Sequence, residues 1–206
     1  MKIDVPVDKP AVCKIIQAAI PLFATKGLRA VSVKELAEAA GVNVAMISYY
    51  FGGKENLYTF VLENQLAIFD ETLAVIQREE TCPVAKIRRM ALAITSIHKD
   101  NPYLDHLFYR EVANPTQWCE RFVLTAGHRL NSFLRACISE AIAAGQFRKE
   151  LQPDLASIAL IKLLNLTFLA RFLNEKTLPS VQDPVEAYVT QSIEIYLRGV
   201  ALAPEL

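Results

Sequence analysis

Val44, Ala45, Ser48 and Tyr49 stand at positions i, i+1, i+4 and i+5, the spacing that puts four side chains on one side of a helix. Their chemistry is that of contact rather than bond-making. The small apolar groups permit close approach and can touch thymine methyl groups, while the two hydroxyls can hydrogen-bond to base edges or phosphates. Asn43, just before them, suits either a helix cap or a base contact, and its position favours the cap. Phosphate contacts have to come from the flanks, because no Lys or Arg occurs between Lys34 and Lys54. Lys54, the Tyr50 hydroxyl and Ser32 are the candidates, with Lys26, Thr25 and backbone N–H groups near Gly53 as further donors. Tyr50 neighbours both faces and suits core packing equally well.

Such a stripe needs an element to present it. Ala37, Gly41 and Ile47 fall at the offsets of a helix-turn-helix: a small residue where two helices approach, a glycine for the turn, and a branched apolar residue to lock the second helix down. Ser32, with Glu35 three residues on, predicts a capping box, and Val31 and Leu36 its hydrophobic staple. Val42 and Ile47 flank Asn43 in the same way, and Gly41 falls where a left-handed residue ends the preceding helix. Upstream, Ile15, Ile16, Ala19, Ile20 and Phe23 have the spacing of a helix packed on one face, which Gly27 ends. The expected unit has three helices, with Val42, Ile47 and Phe51 pointing inward.

Apolar residues make up 52% of the 206 and only 7 are glycine, which favours a helix-rich globular chain over disorder or an all-β fold. Residues 1–60 carry seven basic and five acidic side chains within a total of 22 and 22, so charge neither supports nor excludes nucleic acid. Cys13, Cys82, Cys119 and Cys137 have no metal-ligand spacing and read as reduced thiols. His98, His106 and His128 form no i, i+4 pair with coordinating neighbours, so neither metal nor cofactor is expected. No nucleophile motif or glycine-rich phosphate loop appears, and no catalytic residue is assigned. MKIDVPVDKP lacks the apolar run of a signal peptide. Leu155–Leu173 is broken by Lys162, Asn165 and Arg171, so a cytoplasmic chain without a membrane span is expected.

Lys54 to about Gln77 reads as one long helix, with Tyr58, Leu62, Leu66, Phe69, Leu73 and Ile76 four and three apart. The expected organisation is a helix-turn-helix domain over 1–53 and a larger helical domain over 54–206. A helix shared by both either couples them mechanically or simply packs them together. Further helix starts are expected at Thr81-Cys82-Pro83, Asn101-Pro102, Thr116, Pro153-Asp154 and Asp183-Pro184, with ends near Asp100, Ala113, Ala144, Asn174 and Gly199. Pro179 separates the last two. The fold class is all-α, about nine helices and no strand.

Polar residues in apolar settings mark a possible pocket. Glu111 shares a stripe with Leu104, Leu107 and Phe108, and a buried carboxylate must be paired, protonated or in contact with a ligand. An ion pair with Arg110, Arg121 or Arg129 is the leading account. Trp118 and Phe122, one turn apart, suit the core or the wall of a cavity. Asn165 suits a ligand contact or an interhelical hydrogen bond. Arg110, Glu111, Trp118, Phe122 and Asn165 are therefore the candidate ligand residues.

Residues from about 12 to 62 resemble the DNA-binding domain of the TetR family of transcriptional regulators. The likeness rests on Ala19, Phe23, Gly27, Val33, Leu36 and Ala37, on Ala40-Gly41-Val42, on Tyr49-Tyr50-Phe51 and on Lys54-Glu55-Asn56-Leu57. It implies that Tyr49, Tyr50 and Lys54 grip phosphates. Ser48 replaces the family's usual aromatic, Val44 a polar or basic residue, and Gly53 a capping Ser, Thr or Asn. Arg110–Pro115 and Gly145–Arg148 resemble the ligand-binding half of a YbiH/CerR-like subgroup. The family resemblance also implies a small-molecule inducer in the larger domain and a homodimer through the last two helices, about 154–174 and 183–199. The expected function is a ligand-responsive regulator, most simply a repressor that binds a pseudo-palindromic operator in double-stranded DNA and leaves it when the inducer binds. The rival reading is a helical small-molecule-binding protein or enzyme with a vestigial DNA-binding unit.

Overall fold

The computed structural model describes residues 5–101, 103–172 and 183–202. Its helices are α1 (Pro10–Lys26), α2 (Val33–Ala40), α3 (Ala45–Phe51), α4 (Lys54–Glu79), α5 (Pro83–Asp100), α6 (Leu104–Ala113), α7 (Thr125–Ala143), α8 (Pro153–Phe172) and α9 (Pro184–Val200). Among the described residues there is no strand, only an antiparallel bridge between Phe147 and Ala201. None of their helices is long and apolar enough to cross a membrane. The expected features at Pro102, Asn174 and Pro179 lie outside the described residues.

The chain forms two compact units. The first holds residues up to Ala67 together with His106–Val123, and the second holds Ile68–Asp105 and Leu124–Leu206. A border at residue 53 differs from this division for a hydrophobic reason. Leu107, Trp118 and Phe122 lie buried in the same core as Ile15, Phe23, Leu36, Ile47, Phe51 and Leu57, and an earlier border would leave that core open.

In the first unit α2 packs on α1 and α3. Ser32 accepts the Glu35 N–H at 3.1 Å and caps α2. The reciprocal half of the capping box is missing, because the Glu35 carboxylate pairs with Lys26. A cationic donor makes the stronger, charge-assisted bond. Gly41 is left-handed (φ 63°, ψ 39°), and the N–H groups of Gly41 and Val42 return to the carbonyls of Glu38 and Ala37. This double closure turns the chain sharply into α3.

The second unit packs α7 on α5 and α8, and α9 on α5 and α8. Tyr188 and Tyr196 of α9 donate their hydroxyls to the Leu163 and Ala156 carbonyls of α8, at 3.1 and 2.9 Å. Phe147 is buried, and the Arg148 N–H meets the Val200 carbonyl at 3.0 Å, so the segment after Gly145 ties down the end of α9. Leu155 and Ile158 of α8 stay 62% and 46% exposed.

Two helix starts differ from expectation. The Asn101 side-chain amide donates back to the Ile97 carbonyl at 2.9 Å, closing α5, and α6 begins only at Leu104. Thr116 does accept the Trp118 N–H at 3.2 Å, as a cap would. Beyond it, however, Cys119–Leu124 is π-helical, and the α-helix begins at Thr125.

Candidate nucleic-acid interface

Ile47 and Phe51, both fully buried, hold the seven-residue α3 against the core of the first unit. Asn43 accepts the Ala45 N–H at 2.9 Å through its side-chain oxygen, and Val44 already has helical dihedrals (φ −53°, ψ −35°). Asn43 therefore caps the helix. Gly52, left-handed at φ 71°, closes the other end.

The opposite face is open. Val44 is 46%, Met46 36% and Tyr49 78% exposed, and Ala45 and Ser48 are exposed with them. The Tyr49 ring meets Tyr50 edge-on, with centroids 4.9 Å apart. Tyr50 is half-buried against the core, and the Lys9 ammonium lies 5.6 Å from its ring centroid. Ser32 and Asn43 each spend an oxygen on the backbone, which leaves the hydroxyl hydrogen and the side-chain amide to donate outward. Lys54 is placed differently from the other candidates: its ammonium donates to the Val31 carbonyl at 2.8 Å and holds the turn before α2.

Residues 15–59, from the first turns of α1 into α4, match the family model described as bacterial regulatory proteins, tetR family. This segment is similar to the DNA-binding part of that family. The chain is 35% identical over 101 residues to the probable HTH-type transcriptional regulator YttP of Bacillus subtilis, covering 48% of this chain and 49% of that one. It is 33% identical over 98 residues to the HTH-type transcriptional regulator RutR of Escherichia coli, covering 48% and 46%. The chain thus spans about half the length of the curated relatives it matches. Its fold is like that of the ketosteroid transcriptional regulator KstR2 of Mycobacterium tuberculosis, with a TM-score of 0.74 at 18% identity over 98% of this chain and 100% of the other.

Four of the expected ligand residues, Arg110, Glu111, Trp118 and Phe122, come together in the first unit, while Asn165 lies half-buried on α8 in the second. Glu111 is 2% exposed, but among the described residues none of the expected arginines pairs with it. Arg110 donates to the Ala24 carbonyl at 2.6 Å and to that of Thr25, where a cation suits the C-terminal end of α1. Arg121 pairs with Glu63 at 2.7 Å and Arg129 with Asp70. Glu111 instead accepts from hydroxyls: Tyr58 at 2.6 Å on one oxygen, and Thr116 at 2.6 Å on the other, which also faces the Thr116 N–H at 3.3 Å. Burial, and then the hydrogen bond to Glu111, push the Tyr58 phenol well above its ordinary value. Trp118 donates its indole N–H to the Thr59 hydroxyl at 2.6 Å and borders a cleft of about 470 Å³ with Glu55, Phe60 and Glu63.

Met46, Lys9, Tyr58 and Thr116 escaped the reading of the sequence as partners in these clusters. A signal existed for Tyr58, because a buried tyrosine must place its hydroxyl on an acceptor and Glu111 was already in need of donors.

Proposed function

We propose that this chain is a ligand-responsive DNA-binding regulator, acting as a repressor. Val44, Ala45, Ser48 and Tyr49 enter the major groove, Ser32, Asn43 and Tyr50 donate to flanking phosphates, and Lys54 steadies the turn beside them. One observation carries this reading. The outward face of α3 is uncharged and leaves Val44 and Tyr49 46% and 78% exposed, small groups and an aromatic hydroxyl awaiting a partner.

The remaining parts follow the family. A homodimer forms through α8 and α9, whose apolar Leu155, Ile158 and Ile195 stand 62%, 46% and 64% exposed. A small-molecule inducer binds the second unit, where an apolar groove of about 780 Å³ runs past Leu73, Ala74 and Phe133. The unbroken α4 supplies residues to both units, and an inducer that alters its course releases the operator. By linkage, DNA weakens inducer binding by the same factor that the inducer weakens DNA binding.

Footprinting on the DNA flanking the chain's own gene tests this. The unaltered protein should protect two half-sites, and Tyr49→Ala should lose the protection while keeping its helical content. Turnover or tight binding of a small molecule with no protection anywhere would favour the rival reading, a helical enzyme or binding protein with a vestigial DNA-binding unit.

A further inference from the structure

α3 carries no charge, so the attraction to a polyanion has to come from beside it, and the structure narrows the choice. Lys26 is paired with Glu35, Lys34 lies 3.8 Å from Glu38, and Lys54 is turned onto the Val31 carbonyl. Lys14 and Arg29 are exposed. Lys9 is exposed too, and its ammonium rests over the ring of Tyr50, 5.6 Å from the centroid.

We propose that Lys9, held over the Tyr50 ring beside α3, binds a phosphodiester of the DNA backbone. The proposal rests on the DNA-binding reading given under the proposed function. Two geometric facts support it. Tyr50 is packed against the core and meets Tyr49 edge-on at 4.9 Å, so ammonium, fixed ring and exposed ring form one continuous array at the outward face. The aromatic contact also restricts the long lysine stem before DNA arrives, so less side-chain freedom is lost when a phosphate is met. Lys54 is half-buried and spends one of its three N–H donors on the Val31 carbonyl, which ties it to the turn before α2, whereas Lys9 is exposed.

Salt titration of the full-length protein on a labelled duplex, taken from the DNA flanking its own gene, separates the two lysines. Each phosphate contact adds about 0.9 to the slope of log K against log salt, so Lys9→Gln in a dimer should flatten the slope by about 1.8. Between about 50 and 200 mM salt, the unaltered protein should therefore lose roughly 12-fold more affinity than the variant. Lys9→Arg should restore the slope, and Lys54→Gln should lower the thermal midpoint of the first unit. An unchanged slope in Lys9→Gln, or a flattening confined to Lys54→Gln, overturns the assignment and leaves DNA binding intact. Failure of the unaltered protein to bind any duplex overturns the DNA-binding reading itself.

Discussion

Removing one oxygen from the first unit should be felt throughout it. Tyr58 and Glu111 are each 2% exposed, and their hydrogen bond is 2.6 Å long. In Tyr58→Phe, one carboxylate oxygen loses its donor at a place that water does not reach. A hydrogen bond to a charged group contributes about 1.5–3 kcal/mol. The other oxygen keeps its two bonds from Thr116, which holds the expected loss to about 2 kcal/mol rather than the cost of an isolated charge. The chain's one tryptophan, Trp118, reports on this spot, since its ring lies edge-on to Tyr58 with centroids 5.6 Å apart. Urea unfolding followed by tryptophan emission should show the midpoint falling by about 1 M for an m-value of about 2 kcal/mol per molar. The pH dependence gives a second reading. The unfolded tyrosine ionises near its ordinary value of 10, whereas the folded one holds its proton well above it. Its contribution is therefore complete below pH 10 and falls by about 1.4 kcal/mol per pH unit above that, so the alkaline limb should be flatter in Tyr58→Phe. A midpoint within about 0.3 M of the unaltered protein would refute the view that Glu111 depends on this hydroxyl.

Gly41→Ala should cost about 1–2 kcal/mol, visible as a lower thermal midpoint, because the left-handed backbone alone is strained and the new methyl meets nothing within 4 Å. A chain ended after Ala67 should give no cooperative melt by circular dichroism. It lacks Leu107, Trp118 and Phe122, and at roughly 2–5 kcal/mol per large buried side chain their loss equals a whole domain's stability. Ile195→Lys, at a site 64% exposed in the single chain, should leave helix content intact and yield a monomer in sedimentation; an unchanged dimer mass would count against the α8–α9 interface.

Short-range features were the readable ones. Ser32, Gly41 and Asn43 act on groups two to five residues away, so residue type and spacing are enough to assign them. Helix bounds followed the punctuation at Gly41 and Asp183, and drifted at α6, where the Asn101 side chain turned back to Ile97, and after Thr116, where a π-helical segment precedes α7. Long-range choices were hidden. Glu35 had two possible partners, and Lys26 on another helix prevailed over the local cap. Glu111 found Tyr58, 53 residues earlier, and Arg110 found a backbone carbonyl 86 residues earlier, a group with no residue-type signature at all. Lys9 carried a faint sign. It sits at the start of α1, where the helix dipole disfavours a cation, and a residue against its local preference often answers to something else.

The core of the first unit is finished by residues that follow it far along the chain, and this sets a timetable on the ribosome. Synthesis proceeds at about 5–20 residues per second, so roughly 3–11 seconds pass between the arrival of Ala67 and that of Val123. Until then Phe23, Leu36 and Phe51 have no Leu107, Trp118 or Phe122 to cover them, although α1, α2 and α3 have already been made. Nascent chains stalled before and after Val123 should differ sharply in protease resistance. The end that carries α1, α2 and α3, made before Leu107, Trp118 and Phe122, is thus among the parts that must wait to become solid, and a chaperone that holds apolar surface would find its opening in that interval.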